Sequence, residues 1–155
     1  MTTRTLIAFS SLILLLMPPG LSWAQPQRQA LCQTSAKNNQ LARDQRDTLR
    51  SDCLKKNKTK ISIPTCLRIA DLMEYSTAAE ETRLFCLHNL VRTERECLAI
   101  TKRMEYPDSG DEARWDCLRQ FSKNLSKKQC LKVAKGMNYP ANADRAADFC
   151  KQQHD

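Results

Sequence analysis

The chain has 155 residues, with 25 Lys and Arg against 17 Asp and Glu, a formal net charge of +8. It holds eight cysteines but only three glycines and two histidines, His88 and His154. That composition leaves no glycine-rich phosphate cradle and no C-x-x-C pair, which argues against a nucleotide loop, a structural zinc site and a thioredoxin-like redox motif.

At the N-terminus, Arg4 precedes an apolar run from Leu6 to Leu16, broken only by Ser10 and Ser11. Pro18, Pro19 and Gly20 end the run, and Ser22-Trp23-Ala24 places small residues where a signal peptidase reads. Residues 1–24 therefore read as a secretory signal peptide and stand outside fold reasoning. The run is short for a membrane span, and no later stretch is long and apolar enough for one. Ala30-Leu31-Cys32 lacks the small residue expected before a lipidated cysteine. The mature chain is expected to begin near Gln25 as a single domain, residues 25–155, with a net charge of +7 once Arg4 is removed. An even cysteine count in an exported chain reads as a disulfide framework, here Cys32, Cys53, Cys66, Cys86, Cys97, Cys117, Cys130 and Cys150. The compartment expected is periplasmic or extracellular.

Residues 25–61 are polar, with sparse apolar positions and the pair Cys32 and Cys53, and read as a degenerate first repeat. Asn38-Asn39 is the expected break between its two helices. If the segment were one continuous helix, Cys32 and Cys53 would lie roughly 30 Å apart and could not bond, so their pairing stays open.

Three full repeats follow, residues 62–92, 93–125 and 126–155. Cys66-Leu-Arg-Ile-Ala-Asp-Leu-Met-Glu-Tyr75 returns as Cys97-Leu-Ala-Ile-Thr-Lys-Arg-Met-Glu-Tyr106 and as Cys130-Leu-Lys-Val-Ala-Lys-Gly-Met-Asn-Tyr139. A fixed period of this size marks a helical repeat array. Each repeat opens on a capping residue, Ser62, Thr93 or Ser126. Glu96 and Gln129 complete capping boxes in the second and third, and Pro64 suits the first turn of the other. Cys66, Ile69, Ala70 and Met73 fall at i, i+3, i+4, i+7, as do Cys130, Val133, Ala134 and Met137; Cys97, Ile100 and Met104 keep i, i+3, i+7. That is the stripe of an amphipathic helix. This first helix is expected to run to its tyrosine, with the turn after it; Pro107 and Pro140 then act as stops. A second helix begins with acids and buries Phe85, Trp115 or Phe149 beside its cysteine. Nothing alternates with period two. The fold class expected is all-α, tandem disulfide-closed helical hairpins stacked as a small solenoid or bundle.

Eight cysteines allow 105 connectivities. Cys66–Cys86, Cys97–Cys117 and Cys130–Cys150 share one spacing of twenty, whereas pairs across the inter-repeat links differ in spacing. Pairing within each repeat is the reading taken.

Positive charge concentrates in the links: Lys55, Lys56, Lys58 and Lys60, then Arg92 and Arg95, then Lys123, Lys127 and Lys128. In a stack of hairpins these links share one edge. Glu74, Glu80, Glu81, Glu105, Asp108, Asp111 and Glu112 fall at the opposite, turn edge. Charge runs are commonly just solvated surface. Even so, Lys127 and Lys128 stand in a helix's first turn, where cations are unfavourable, so the basic edge is expected to serve an anionic partner: a protein or an acidic envelope polymer. Nucleic acid fits poorly, because the strip holds no aromatic to stack on bases.

Cys117-Leu-Arg-Gln-Phe-Ser-Lys-Asn-Leu-Ser-Lys-Lys-Gln-Cys130 resembles the C-L…L-S-x-x-C segment of the cysteine-rich repeats in the Golgi and cell-surface glycoprotein that binds fibroblast growth factor and selectin. The resemblance covers this one link and implies an exported, disulfide-bonded binding repeat without catalytic residues. No Ser-His-Asp or Cys-His set and no carboxylate pair stands out, and no cofactor is implied. The function expected is a non-enzymatic binding module. The alternative is a small secreted hydrolase or inhibitor-like effector.

Overall fold

A computed structural model describes Cys32 and residues 40–154. The expected leader and the Asn38-Asn39 break lie outside the described residues. The helices run in the order α1 (Arg43–Asn57), α2 (Ile63–Ala70), α3 (Ser76–Leu90), α4 (Glu94–Thr101), α5 (Pro107–Phe121), α6 (Lys127–Lys135) and α7 (Pro140–His154). Short 3-10 turns, Lys58–Lys60 and Ser122–Asn124, follow α1 and α5, and no strand occurs among the described residues. The chain is all-α and built of helical hairpins: α2 packs with α3, α4 with α5, and α6 with α7. Successive long helices, α3 with α5 and α5 with α7, also touch, so each hairpin leans on the next.

The hairpins are lopsided. The first helix has 8 or 9 residues, and the second always has 15. The first helix therefore does not run to its tyrosine. It ends at Ala70, Thr101 or Lys135 and tightens into a final 3-10-like turn, with Leu72 N–H donating to Ile69 and Met73 N–H to Ala70. Tyr75 and Tyr106 are instead the N-caps of the second helices, in extended conformation at φ −103°, ψ 131° and φ −92°, ψ 136°. Pro107 and Pro140 stop nothing: they are the first residues of α5 and α7, where the missing N–H is harmless and the preceding tyrosine is held out of helical space. Tyr75 adopts the same shape before Ser76, so proline alone does not set it.

The capping boxes form at Thr93 with Glu96 and at Ser126 with Gln129. Ser62 caps differently. Its hydroxyl bonds the Thr65 hydroxyl at 2.9 Å and no backbone N–H, while Pro64 occupies the first turn.

Every hairpin is closed by a disulfide: Cys66–Cys86, Cys97–Cys117 and Cys130–Cys150, with Cα separations of 5.9, 5.7 and 5.6 Å. Cys32 bonds Cys53 at 5.5 Å, which settles the pairing that the sequence left open. No cysteine is free. The sulfurs lie in the core beside Ile69, Leu87, Ile100 and Leu118. Trp115 and Phe149 stack edge to face at 5.8 Å across the last two hairpins. Four intramolecular disulfides in so small a chain are the pattern of a protein that folds in an oxidising compartment. No helix among the described residues is long and apolar enough to cross a membrane.

Candidate functional site

Lys55 and Lys56 end α1, Lys58 and Lys60 lie in the following turn, Arg92 and Arg95 bracket the start of α4, and Lys123, Lys127 and Lys128 lead into α6. In each hairpin that is the end away from the turn. All nine side chains belong to exposed residues. Lys55, Lys56, Lys58, Lys60, Arg95, Lys123 and Lys128 make no ion pair among the described residues.

The turn side is organised by buried carboxylates, two of which, Glu80 and Asp111, belong to the acidic edge expected from the sequence. Glu80 and Asp111 are 3% and 2% exposed, and Asp47 is 5% exposed. Each accepts backbone N–H groups from the Met-x-Tyr turn of the next hairpin. Asp47 takes those of Glu74 and Tyr75, each at 3.0 Å. Glu80 takes those of Glu105 and Tyr106, both at 2.7 Å. Asp111 takes those of Asn138 at 2.7 Å and Tyr139 at 3.1 Å, with the Asn142 amide at 2.9 Å. These donors are left over where the short helix has ended and the long one has not begun, and a desolvated carboxylate is a strong acceptor for them. The Met-x-Tyr signature therefore marks an inter-repeat joint. The tyrosine rings stay outside, 39 to 47% exposed; Tyr106 reaches back to the Ser76 hydroxyl. A hydrogen bond to Asp108 holds the Tyr139 phenol above its ordinary pKa.

Arginines hold this joint from behind. Arg50, Arg83 and Arg114 each pair with the carboxylate three residues earlier, at 2.9, 3.3 and 3.4 Å. Burial works against the charge on Arg83, but hydrogen bonds to Glu105 and Glu80 more than offset it and raise its pKa. Glu74 bonds Arg46 and has Arg43 and Arg50 nearby; its carboxyl is held below the ordinary range, chiefly by the Arg46 hydrogen bond. Acids and arginines thus neutralise each other at the joints of the turn side, while seven of the nine link cations have no ion pair among the described residues. The signal missed in the sequence was a periodic acid-x-x-Arg: Asp47 with Arg50, Glu80 with Arg83, Asp111 with Arg114.

Among the described residues, two open grooves stand out. The larger, 620 Å³, runs between α4 and α6; Glu94 is its one carboxylate. The other, 350 Å³, lies between α1 and α3 beside Asp44, Asp52 and Glu81. Asp47 borders it too, but its oxygens are engaged by the joint and by Arg50. No group of three or more His, Cys, Asp or Glu able to hold a metal occurs among the described residues. His88 is exposed and bonds Asp116 at 2.6 Å, so it does not pack beside Leu87 and Leu90 as a core residue would. The His154 Nε2 is buried without a partner.

Fold and surface together define a disulfide-closed, all-α hairpin-repeat protein. Comparison with known protein families, with characterised proteins and with solved structures finds no match for this chain.

Proposed function

We propose that this is an exported, secreted or periplasmic, non-enzymatic binding protein that uses its link side to hold an anionic partner. The observation that carries this reading is the sorting of its cations. Arg50, Arg83, Arg103 and Arg114 of the turn side sit in ion pairs, while Lys55, Lys56, Lys58, Lys60, Lys123 and Lys128 of the links stand exposed with no ion pair among the described residues. Stability alone does not favour a cation at the start of a helix, yet Lys128 is in the first turn of α6. The partner chemistry that fits is an acidic polysaccharide or a lipopolysaccharide-like envelope polymer, which offers negative charge over the width of several repeats. The resemblance of the Cys117–Cys130 link to glycoprotein binding repeats supports the same class.

Retention on an immobilised sulfated or phosphorylated glycan tests it. Binding should weaken steeply between low and physiological salt. Replacing Lys55, Lys56, Lys58 and Lys60 by Gln should release the protein at much lower salt than replacing Arg43, Arg119, Lys135 and Lys151. Equal losses from the two sets would reduce the interaction to net charge and overturn the reading.

A further inference from the structure

The joint between the last two hairpins departs from the one before it. Between α2 and α4, Asp71 is bridged by Arg103 at 2.6 Å and approached by Arg83 at 3.5 Å, and Arg83 also holds Glu105 at 2.9 Å. One repeat later, the position five residues after the cysteine is Lys102 in place of Asp71. The position six after is Gly136 in place of Arg103, and Glu105 has become Asn138. Arg114, the counterpart of Arg83, keeps a single carboxylate among the described residues, Asp111 at 3.4 Å, and lines the groove together with Lys102, which stands at the position of Asp71. The bridge that spans the earlier boundary is gone, its charge is reversed, and the 620 Å³ groove opens at this place.

The groove floor is apolar: Leu98 and Ala99 from α4, Leu125 from the link, Val133 from α6. Arg95, Lys102 and Lys132 line its rim, exposed and without ion pairs among the described residues. Arg114 adds a fourth cation from within, its side chain 20% exposed. We propose that the groove between α4 and α6 binds a single-chain anionic amphiphile, its tail along Leu98 and Val133 and its headgroup between Lys102, Lys132 and Arg114. The volume is that of a small-molecule site, and α4 is about 12 Å long, short for a docked helix but suited to one alkyl chain. The headgroup supplies the negative charge that Asp71 and Glu105 supply at the earlier boundary. This site shares only Arg95 with the link-side strip, so it stands or falls separately.

Calorimetric titration with oleate, with its uncharged glycerol monoester and with an acidic amphipathic peptide tests the proposal on the full mature chain. Oleate should bind more tightly than the ester. Lys102→Gln with Lys132→Gln should weaken oleate roughly tenfold and leave the ester unchanged. Lys102→Asp with Gly136→Arg rebuilds the Asp71–Arg103 bridge and should abolish binding of both. Gly136 has φ −82°, outside the left-handed region, and an added Cβ would stand 3.3 Å from the Val133 carbonyl oxygen, which has to give by a few tenths of an ångström. The Lys55, Lys56, Lys58 and Lys60 to Gln variant should bind oleate as the parent does, which separates this site from the link side. Circular dichroism confirms that each variant is folded. Equal affinity for oleate and the ester, binding that survives the rebuilt bridge, binding of the peptide alone, or no binding at all would each overturn it.

Discussion

The Asp111 carboxylate accepts the backbone N–H of Asn138 at 2.7 Å, across the boundary between two hairpins. Its counterparts Asp47 and Glu80 do the same for Glu74 and Glu105. The joint uses main-chain donors, so it depends on the acid and on the turn conformation, not on the side chain that donates. The central residue of the motif can therefore change from Glu74 and Glu105 to Asn138 without loss of the contact. Asp144 occupies the same register in α7, but it is exposed, and Ala147 stands in place of the arginine.

Replacing Asp111 by Asn should destabilise the protein by about 2–4 kcal/mol, because an amide turns N–H groups toward buried N–H donors. Asp144→Asn should cost no more than about 0.5 kcal/mol, as surface changes do. Chemical denaturation of the oxidised protein measures both. Similar losses at the two sites would mean that the joint contributes little.

The same carboxyl gives the protein an acid limit. Burial opposes the charge on Asp111, but the N–H groups of Asn138 and Tyr139, the Asn142 amide and Arg114 more than offset it, and its pKa lies below the ordinary value. A carboxyl depressed in the folded state stabilises fully above its unfolded pKa and loses that contribution as pH falls through the folded one. Stability should therefore decline below about pH 4, and the gap between the parent and Asp111→Asn should shrink as the pH falls further. A gap that stayed constant over that range would show that Asp111 is not titrating against the joint.

The repeat was legible in the sequence because cysteines and Met-x-Tyr keep their spacing, and the spacing of twenty pointed to the bonds that form. Cys66 lies four residues before the end of α2 and Cys86 ten after the start of α3, so the pair is not symmetric about the turn. Tyr-Pro suggested a helix stop, when it is a helix start. The buried acids escaped notice because a carboxylate near a helix N-terminus already has a local explanation in the dipole. Only the recurring arginine three residues on separates Glu80 from its exposed neighbour Glu81. The groove could not be read from periodicity at all. It arises from two departures from the repeat, Lys102 and Gly136, whose meaning depends on what Asp71 and Arg103 do in space.

The two kinds of helix start make a paired test. Thr93 accepts from the Glu96 N–H at 3.3 Å, and the Glu96 carboxyl, held low chiefly by the Arg92 N–H, returns a bond to the Thr93 N–H. Thr93→Ala should cost about 1 kcal/mol. Ser62→Ala should cost less, since its hydroxyl meets Thr65 and caps no N–H. Equal losses in thermal melts would mean that the box adds nothing beyond the hydroxyl.

The disulfides predict a defined map. Digestion without reduction should give Cys32 joined to Cys53 and each later pair joined within its hairpin. Replacing Cys97 and Cys117 together by Ala should lower stability by about 3 kcal/mol, the entropy of a loop near twenty residues. A peptide linking Cys86 to Cys97 would contradict the hairpin assignment.

Lys128 offers the sharpest separation of stability from binding. It stands at the second position of α6, within the first turn, where the helix dipole disfavours a cation and the box of Ser126 and Gln129 already satisfies the local donors. It is exposed and makes no ion pair among the described residues. Lys128→Glu should therefore stabilise the protein by about 0.3–1 kcal/mol at low salt, with the gain fading as salt is added. If the link side binds an anionic polymer, the same substitution should lower retention on the glycan matrix. A more stable protein that binds less well would show a lysine kept for contact at the expense of the helix. A variant that gained stability and kept full retention would remove Lys128 from the binding surface and leave Lys55, Lys56, Lys58 and Lys60 to carry it.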